Sequence, residues 1–266
     1  MNRSYLLESI VDGVAVVTLN RPAVRNAMTL RMWAKLRLML LRYAADATVR
    51  CVVVTGAGEA FCAGGDVKEF VAKLDAPERV DMDARIADLR QLTESVRLLH
   101  EMPKPTLAVI PGPAAGAGFC LALACDLRIC SDTAVFTTAF SRIGTSGDFG
   151  GSWFLSRIIG AARTQELYLR SELICAQKAL DWGIVNRVVP SASLMSEGQL
   201  LARELASGPT QAFGYMKKNL DVATTGSLEQ LLKVEADHMI RSLATEDHRR
   251  ASIAFLRKRP PVFARR

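Results

Sequence analysis

A stretch of small residues between positions 110 and 126, IPGPAAGAGFCLALACD, constrains the fold of this chain more than any other part of it. It opens on a Gly/Pro turn, continues through Ala and Gly, and ends in apolar residues at helical spacing. This order predicts a strand that ends near Ile110, a bare turn over 112–116 and a helix that starts at about Ala117. A helix start carries unpartnered N–H groups and a partial positive charge, which suit a developing oxyanion or a phosphate. Close helix packing alone explains the same small residues equally well.

A second loop of similar character follows an earlier strand. The run CVVVT at 51–55 predicts a buried strand, residues 56–59 a turn, and FCAGGD at 61–66 a loop with exposed backbone amides. Two such loops can each supply one N–H group to a single oxygen atom. A main-chain oxyanion hole of this kind matters for catalysis, because loss of one donor typically slows such an enzyme by about 10²- to 10³-fold.

Five motifs, in their order along the chain, resemble the enoyl-CoA hydratase/isomerase (crotonase) superfamily. They are VAVVTLNRPAVRNAM, FCAGGD, GPAAGAGFCLALACDLRI, AFSRIGTSGDFGGSWFLSRIIG and the ending AFLRKRPPVF, and they cover essentially the whole chain. The resemblance implies an α/β fold of the ClpP/crotonase type with a spiral of ββα units over 1–190, and the recurring strand, turn and helix units of the sequence, without a long sheet, suit that fold. A helical trimerisation subdomain is expected over 191–266. The resemblance also implies that the amides of Gly65 and Ala117 hold the thioester oxygen of an acyl-CoA.

Further residues are assigned to the acyl-CoA site by the same resemblance. Arg25, and after it Lys68, are expected to contact the CoA phosphates, and the alternative is that both are solvated surface charges. Phe255 and Lys258 are expected to close over the adenine from a neighbouring chain, although as bare sequence they are a helix end with an amphipathic face. The expected CoA-binding residues are Arg25, Ala63, Asp66, Lys68, Phe255 and Lys258. The expected acyl-pocket residues are Phe70, Phe119, Cys120, Phe140 and Trp153.

Asp148, in the string GTSGDFGGSWF, is the candidate acid/base. It follows a Gly-rich turn, and a helix is predicted to begin near Phe149 or Gly150. A carboxylate among aromatic side chains has a raised pKa, which suits a proton shuttle. The alternative is that Asp148 caps the helix, with its oxygen accepting N–H bonds from the next turn. The residues alone favour the cap, whereas the resemblance favours catalysis, because several family isomerases carry their acid/base aspartate at this place.

The resemblance also bears on which reaction is catalysed. Aligned on the motifs, the two glutamates of the family's hydratases fall at Cys120 and Phe140, and neither is a carboxylate. The string around Asp148 and the AAGAG form of the second oxyanion loop are most similar to the ring-epoxide (1,2-epoxyphenylacetyl-CoA) isomerase branch. The 4-chlorobenzoyl-CoA dehalogenases have this aspartate too, but they also need a histidine and a tryptophan that this chain lacks at the corresponding places.

We therefore predict an acyl-CoA isomerase that needs no metal site and no tightly bound cofactor, with coenzyme A entering as part of the substrate. Asp148 removes a proton and returns it at another carbon, so activity should fall at low pH when this carboxylate is protonated. Two alternatives stay open: hydration of an enoyl-CoA with Asp148 as the sole acid/base, and a non-catalytic acyl-CoA- or RNA-binding member of the family.

Composition bears on partners and compartment. The net charge of +7 favours an anionic partner, for which the CoA phosphates suffice, and no basic motif interleaved with aromatics points to nucleic acid. The six cysteines lie mostly in apolar runs, so we expect core residues in a reducing compartment, with a catalytic thiol at Cys62 or Cys120 as the alternative. No apolar run is long enough to cross a bilayer and the N-terminus lacks a signal-peptide pattern, which predicts a cytoplasmic protein.

Two further expectations concern assembly and substrate selection. The family resemblance implies a homotrimer or a hexamer made of two trimers. The polar, acidic segment over 75–84 has no clear periodicity, and we predict that it forms a flap beside the acyl pocket.

Overall fold

The computed structural model describes residues 4–74 and 81–263, and within them the chain forms nine β-strands and eleven α-helices. The strands are β1 (Leu6–Val11), β2 (Val14–Leu19), β3 (Cys51–Gly56), β4 (Thr106–Ile110), β5 (Ala114–Ala115), β6 (Leu127–Ser131), β7 (Val135–Thr137), β8 (Ile174–Cys175) and β9 (Arg187–Val189). The helices are α1 (Leu30–Ala45), α2 (Val67–Leu74), α3 (Met82–Glu101), α4 (Ala117–Leu123), α5 (Gly151–Ile159), α6 (Ala161–Arg170), α7 (Ala176–Asp181), α8 (Leu194–Ser207), α9 (Thr210–Thr225), α10 (Leu228–Leu243) and α11 (Glu246–Leu256).

Six strands form the main sheet, in the order β1-β2-β3-β4-β6-β9. β1 and β2 make the antiparallel hairpin that Asp12 and Gly13 predict, and both turn residues have positive φ, 50° and 81°. All other neighbours in this sheet are parallel. The expectation of no long sheet was therefore wrong, because the pairing of short strands from distant parts of the chain is not visible in local patterns. A smaller sheet has the order β5-β7-β8.

Both faces of the main sheet are buried at β3, as its continuous apolar run indicates. Alternate residues of this strand point into different cores: Val52 and Val54 into the large core with α1, α3 and α4, and Cys51 and Val53 into a smaller one with α8. The helical part predicted from residue 191 thus begins with a helix that covers the sheet. α10 packs on α9 and α11. No described helix combines the length and the apolar character needed to cross a membrane.

The sheet brings the two candidate loops together. β3 and β4 are parallel neighbours, with Val54 beside Ala108, so their carboxyl ends lie at the same edge of the sheet. The loop that ends in FCAGGD leaves β3 there, and the Gly/Pro turn leaves β4. α4 then begins at Ala117, as the sequence predicts.

Two helices begin elsewhere than predicted. α3 starts at Met82 because Asp81 caps it by accepting a bond from the N–H of Ala84 at 3.0 Å, so the last part of the predicted flap is helical, while 75–80 lie outside the described residues. α5 starts at Gly151 instead of near Phe149 or Gly150, which leaves Asp148 in the preceding loop.

Candidate active site

The loops after β3 and β4 are joined by main-chain hydrogen bonds. The N–H of Cys62 donates to the carbonyl of Pro113 at 3.2 Å, and the N–H of Ala115 donates to the carbonyl of Cys62 at 2.9 Å. We call these two joined loops, residues 61–66 and 112–118, the oxyanion wall. Because the bonds link backbone to backbone, they fix the distance between the loops irrespective of most side chains.

Two glycines allow the halves of the oxyanion wall to approach this closely. A Cβ added at Gly118 would lie 2.5 Å from the carbonyl oxygen of Cys62 and 2.6 Å from its Sγ. Gly64 has a φ of +100°, which favours glycine, and a Cβ there would lie 3.0 Å from the carbonyl oxygen of Ala115 and 3.7 Å from the amide nitrogen of Ala117. The small residues that opened the sequence analysis are therefore required for contact between the two loops.

The amides of Gly65 and Ala117 are the two predicted oxyanion donors, and both residues line one cavity. Among the described residues neither N–H group has a hydrogen-bond acceptor, whereas the N–H groups of Asp66 and Gly116 do. The N–H of Asp66 donates to Met28 at 3.0 Å, and the N–H of Gly116 donates to Thr137 at 3.1 Å. Two neighbouring free N–H groups at a cavity surface can bind one oxygen that gains negative charge.

The cavity that these amides line has a volume of about 560 Å³. Its walls are mostly apolar, and its ionisable side chains among the described residues are Asp148 and Arg142. Among all the residues that the structure describes, no three His, Cys, Asp or Glu side chains lie close enough together to hold a metal ion. The apolar residues of the wall include Met28, Leu30, Trp33, Leu89, Leu92, Phe140, Ile143 and Phe149.

Asp148 enters this cavity from the loop over 144–150, which we call the Asp148 loop. Its Oδ1 atom is buried and has no hydrogen-bond partner among the described residues. Burial raises the pKa of the carboxyl from 3.8 to about 6. The helix-cap interpretation is wrong, because α5 has Gly150 at its N-cap position and no side chain bonds there. A carboxyl with an unpartnered oxygen and a pKa near neutrality can accept and return a proton.

The thiols near the site are not suited to nucleophilic catalysis. Cys62 and Cys120 are both fully buried, and burial raises the pKa of Cys62 to about 12 and that of Cys120 still further. A thiol with such a pKa is protonated at neutral pH.

A family model described as enoyl-CoA hydratase/isomerase matches residues 9–266. The chain belongs to this family. It is 37% identical to the 1,2-epoxyphenylacetyl-CoA isomerase of Escherichia coli (strain K12), over 97% of this chain and 98% of that protein. It is also 34% identical to 4-chlorobenzoyl coenzyme A dehalogenase-2 of an Arthrobacter species, over 87% of this chain and 83% of that protein.

Solved structures confirm the crotonase fold. An enoyl-CoA hydratase from Polaromonas sp. JS666 superposes with a TM-score of 0.90 at 33% identity, covering 97% of this chain and 99% of that one. An enoyl-CoA hydratase from Bacillus anthracis gives a TM-score of 0.91 at 28% identity, covering 99% of this chain and all of that one. The family thus includes relatives named for three different reactions.

Phe140 lines the cavity, as predicted. Among the side chains that the structure describes, it is the only aromatic residue predicted for the acyl pocket that does so. Phe119 is buried in the core against Phe136, with ring centroids 5.4 Å apart, because α4 turns this side chain away from the cavity. Trp153 lines a different cavity, where it packs against Phe154 and His100.

Two further pocket predictions need separate comment. Cys120 does not line the cavity but lies beneath the start of α5, where its Sγ is 2.4 Å from the position of a Cβ added at Gly151. The side chain of Phe70 is outside the described residues.

The predicted CoA contacts are divided between support of the oxyanion wall and exposed surface. The carbonyl of Arg25 accepts a bond from the N–H of Ala63 at 2.9 Å, and the Arg25 side chain is exposed. Asp66 pairs with Arg21 at 2.8 Å, and its second oxygen accepts the N–H of Lys68 at 3.1 Å. Asp66 therefore braces Gly65 from the adjacent position.

Phe255 and Lys258 lie far along the chain, at the end of α11. Phe255 is 82% exposed, and neither residue lines the cavity of its own chain. Their predicted role needs a second subunit.

Sequence patterns did not indicate the stacked pair of Trp33 and Phe149. Their ring centroids are 4.1 Å apart at 28°, and both rings line the cavity. The pair joins α1 to the Asp148 loop, two segments that are distant in sequence. Phe149 has a φ of 50°, unusual for a bulky residue, and no local signal predicts that conformation.

Proposed function

We propose that this protein is an acyl-CoA isomerase in which Asp148 is the single acid/base. The observation that carries the proposal is the unpartnered, buried Oδ1 of Asp148 in the same cavity as the free amides of Gly65 and Ala117. Similarity to the E. coli 1,2-epoxyphenylacetyl-CoA isomerase over nearly the whole chain supports it.

The proposed reaction uses the two features in sequence. The ionised Asp148 takes a proton from a carbon of the acyl group that is acidified by the thioester. The electron pair moves onto the thioester oxygen, where the N–H groups of Gly65 and Ala117 donate to the developing oxyanion. The protonated Asp148 then donates its proton to a different carbon, the carbonyl re-forms, and the carboxylate is regenerated.

Hydration of an enoyl-CoA is the second candidate, because relatives of this chain carry hydratase names. The same carboxylate would then activate water. Against it, the positions at which the family's hydratases carry glutamates hold Cys120, which is buried, and Phe140, which is apolar. A two-glutamate reaction has no counterpart in these side chains.

The test is proton exchange with matched variants. Wild type, Asp148→Asn and the control Asp181→Asn are incubated in deuterated water with short aliphatic and aromatic enoyl-CoAs, and the acyl group is followed by mass and NMR. Asp181 is a suitable control because its exposed carboxylate only accepts a bond from Gln177 at 2.8 Å. We expect deuterium exchange or double-bond migration in wild type and Asp181→Asn, and its loss in Asp148→Asn.

The other outcomes identify the alternatives. Addition of water that depends on Asp148 would replace the isomerase by the hydratase. CoA affinity without exchange or turnover of any substrate would contradict both enzymatic functions and favour the non-catalytic acyl-CoA-binding protein.

The assembly and the CoA contacts form part of the proposal. We propose a cytoplasmic homotrimer or hexamer in which Arg25 and Lys68 contact the CoA phosphates, and Phe255 and Lys258 cover the adenine in a neighbouring subunit. Support comes from the exposed apolar side chains along α10 and α11, which a monomer leaves in water. They include Leu228, Leu232, Met239, Ile240, Phe255 and Leu256. Light scattering tests the assembly, and a monomer at micromolar concentration would contradict it.

A further inference from the structure

The Asp148 loop is held by few hydrogen bonds. The N–H of Thr145 donates to Phe140 at 3.1 Å, and the N–H of Gly151 donates to the carbonyl of Asp148 at 3.3 Å. The Asp148 carboxylate has a buried oxygen with no partner among the described residues. Backbone bonding therefore does not explain why this carboxylate stays in one place, and the explanation has to come from packing.

Tyr168, on α6, fills the space beside both ends of the segment that carries Asp148. A Cβ added at Gly147 would lie 2.8 Å from Cε1 of Tyr168, and one added at Gly151 would lie 2.5 Å from its hydroxyl oxygen. Real Cβ atoms essentially never approach other atoms this closely. The backbone on either side of Asp148 therefore rests directly on the tyrosine, and any side chain at these two positions would separate them.

Tyr168 is itself packed between Phe140 and the start of α5. Its ring stacks on Phe140, with centroids 5.7 Å apart at 29°. Its hydroxyl lies beside Gly151 in the first turn of α5, where the buried Sγ of Cys120 also contacts that glycine. Burial, with the charge of Asp148 nearby, raises the pKa of Tyr168, so the hydroxyl remains protonated.

We propose that Tyr168 is a positioning residue, whose ring fixes the Asp148 loop against Phe140 and excludes water from behind the carboxylate. Only the kinetic consequence of this proposal, a fall in kcat when Tyr168 is replaced, rests on the proposed function. Its structural consequence, a desolvated Asp148, can be measured whether or not Asp148 is catalytic.

The ionisable groups around Asp148 are few among the described residues. Cys120 faces it from α4 and Tyr168 from α6, and Arg142 lies in the wall of the same cavity. Cys120 and Tyr168 are both uncharged near neutral pH because burial raises the pKa of each. A shift in the titration of Asp148 after a change at Tyr168 would therefore report access of water.

The experiment compares Tyr168→Ala, Tyr168→Leu, Tyr168→Phe and the control Leu167→Ala. The ¹³C carboxyl resonance of Asp148, identified by its absence from Asp148→Asn, is titrated with pH, and kcat and KM are measured with the acyl-CoA that wild type turns over. Leu167 is a matched control because it is a buried neighbour on α6 and belongs to the large core. Tyr168→Leu keeps an apolar side chain in place should Tyr168→Ala fold poorly.

For Tyr168→Ala and Tyr168→Leu we expect the titration midpoint of Asp148 to fall from about 6 towards 4, and kcat to fall roughly 10- to 100-fold with little change in KM. Tyr168→Phe keeps the ring and its contact at Gly147 and loses only the hydroxyl beside Gly151, so kcat should stay within about threefold of wild type. Leu167→Ala should lower stability without moving the midpoint.

Three results would overturn the proposal: an unmoved midpoint in both Tyr168→Ala and Tyr168→Leu, an equal loss in Tyr168→Phe, or the same shift in Leu167→Ala. Failure of the proposed function has a different signature. In that case Asp148→Asn keeps its activity, while the resonance of Asp148 still moves in the Tyr168 variants.

Discussion

The two sides of the cavity are built in different ways. The oxyanion wall places main-chain N–H groups, and its halves are joined by backbone bonds such as that from Ala115 to Cys62. The Asp148 loop places one side chain, and packing against Tyr168, Phe140 and Trp33 holds it. The difference teaches that the predicted oxyanion donors depend on backbone geometry, whereas the position of the proposed acid/base depends on the packing of a few side chains.

The largest effect is expected from a change that separates the halves of the oxyanion wall. In Gly118→Ala the new Cβ would lie 2.5 Å from the carbonyl oxygen of Cys62, so the loops must move apart. The N–H groups of Gly65 and Ala117 would then no longer be placed to donate to one oxygen atom. We expect kcat to fall by at least about 100-fold, as for loss of an oxyanion donor. Steady-state kinetics, with circular dichroism to verify folding, measures this.

A second helical glycine provides the control. Gly198→Ala would place a Cβ 2.8 Å from Cγ2 of Val109, in the smaller core that α8 covers. Overpacking there should cost about 1 to 3 kcal/mol of stability and leave kcat unchanged. If Gly118→Ala behaves in the same way, the spacing of the oxyanion wall does not limit the rate.

The pH dependence of activity should come from the Asp148 loop alone. Its carboxylate must be ionised to accept a proton, and burial raises the pKa of Asp148 to about 6. The value of kcat/KM should therefore be half-maximal near pH 6, and about tenfold lower at pH 5 than on its plateau. A profile that stays flat down to pH 5 would contradict this, and two acidic steps would indicate a second essential carboxylate.

The same pKa predicts how stability changes with pH. Below about pH 4 Asp148 is protonated in both the folded and the unfolded protein, and its burial carries no charge penalty. As the pH rises from about 4 to 6 the unfolded protein loses this proton while the folded protein retains it, so stability falls by roughly 1 to 2 kcal/mol after allowance for partial exposure, and the loss is complete above pH 6.

Urea unfolding at several pH values tests this sign. Asp148→Asn should be more stable than wild type at pH 8, and the difference should shrink as the pH falls towards 4. An Asp148→Asn variant destabilised at pH 8 would be inconsistent with a desolvated carboxylate.

The sequence was sufficient to predict that the two loops of the oxyanion wall have exposed backbone and small residues. It was insufficient to predict where the Asp148 loop ends and α5 begins, for a physical reason. Gly64 and Gly118 are needed because backbone meets backbone there, so the residue types themselves record the contact. Asp148 could be found by its place among glycines and aromatics, but the choice between cap and acid/base depended on where α5 begins. At that boundary Gly151 packs against Tyr168 and Cys120, which lie elsewhere in the chain.

The pocket residues were harder to predict for the same reason. Phe119 and Trp153 are as aromatic as Phe140, yet the direction in which a helix turns a side chain decides which of them meets the cavity. The fold class followed from the motifs, whereas the length of the main sheet followed only from the structure.

A smaller effect is expected from the brace behind Gly65. In Asp66→Asn the side chain keeps its shape but loses the charged bond to Arg21, which is 2.8 Å long and largely shielded from water. Stability should fall by about 1 to 2 kcal/mol. We expect kcat to fall by less than about tenfold, because the bonds of the oxyanion wall itself remain.

Glu94→Gln is the control for this ion pair, because it breaks the exposed pair with Arg97 and should cost less than about 0.5 kcal/mol. Chemical denaturation and kinetics measure both variants. A loss of activity in Asp66→Asn as large as in Gly118→Ala would mean that the brace, and not the backbone bonding, sets the position of Gly65.

The smallest effect is expected at Arg25, on the outer side of the oxyanion wall, where a change in KM can be distinguished from a change in kcat. Arg25→Ala removes an exposed cation but keeps the carbonyl that accepts the N–H of Ala63, so the wall stays intact. If Arg25 contacts a CoA phosphate, KM should rise about two- to fivefold with kcat unchanged, and the rise should diminish at high salt. Arg170→Ala, which removes an exposed arginine paired with Glu166 on α6, should leave KM unchanged. A fall in kcat with constant KM would instead mean that the Arg25 side chain supports Ala63. The position of the oxyanion wall would then depend on a side chain as well as on backbone bonds, and its contrast with the Asp148 loop would be weaker.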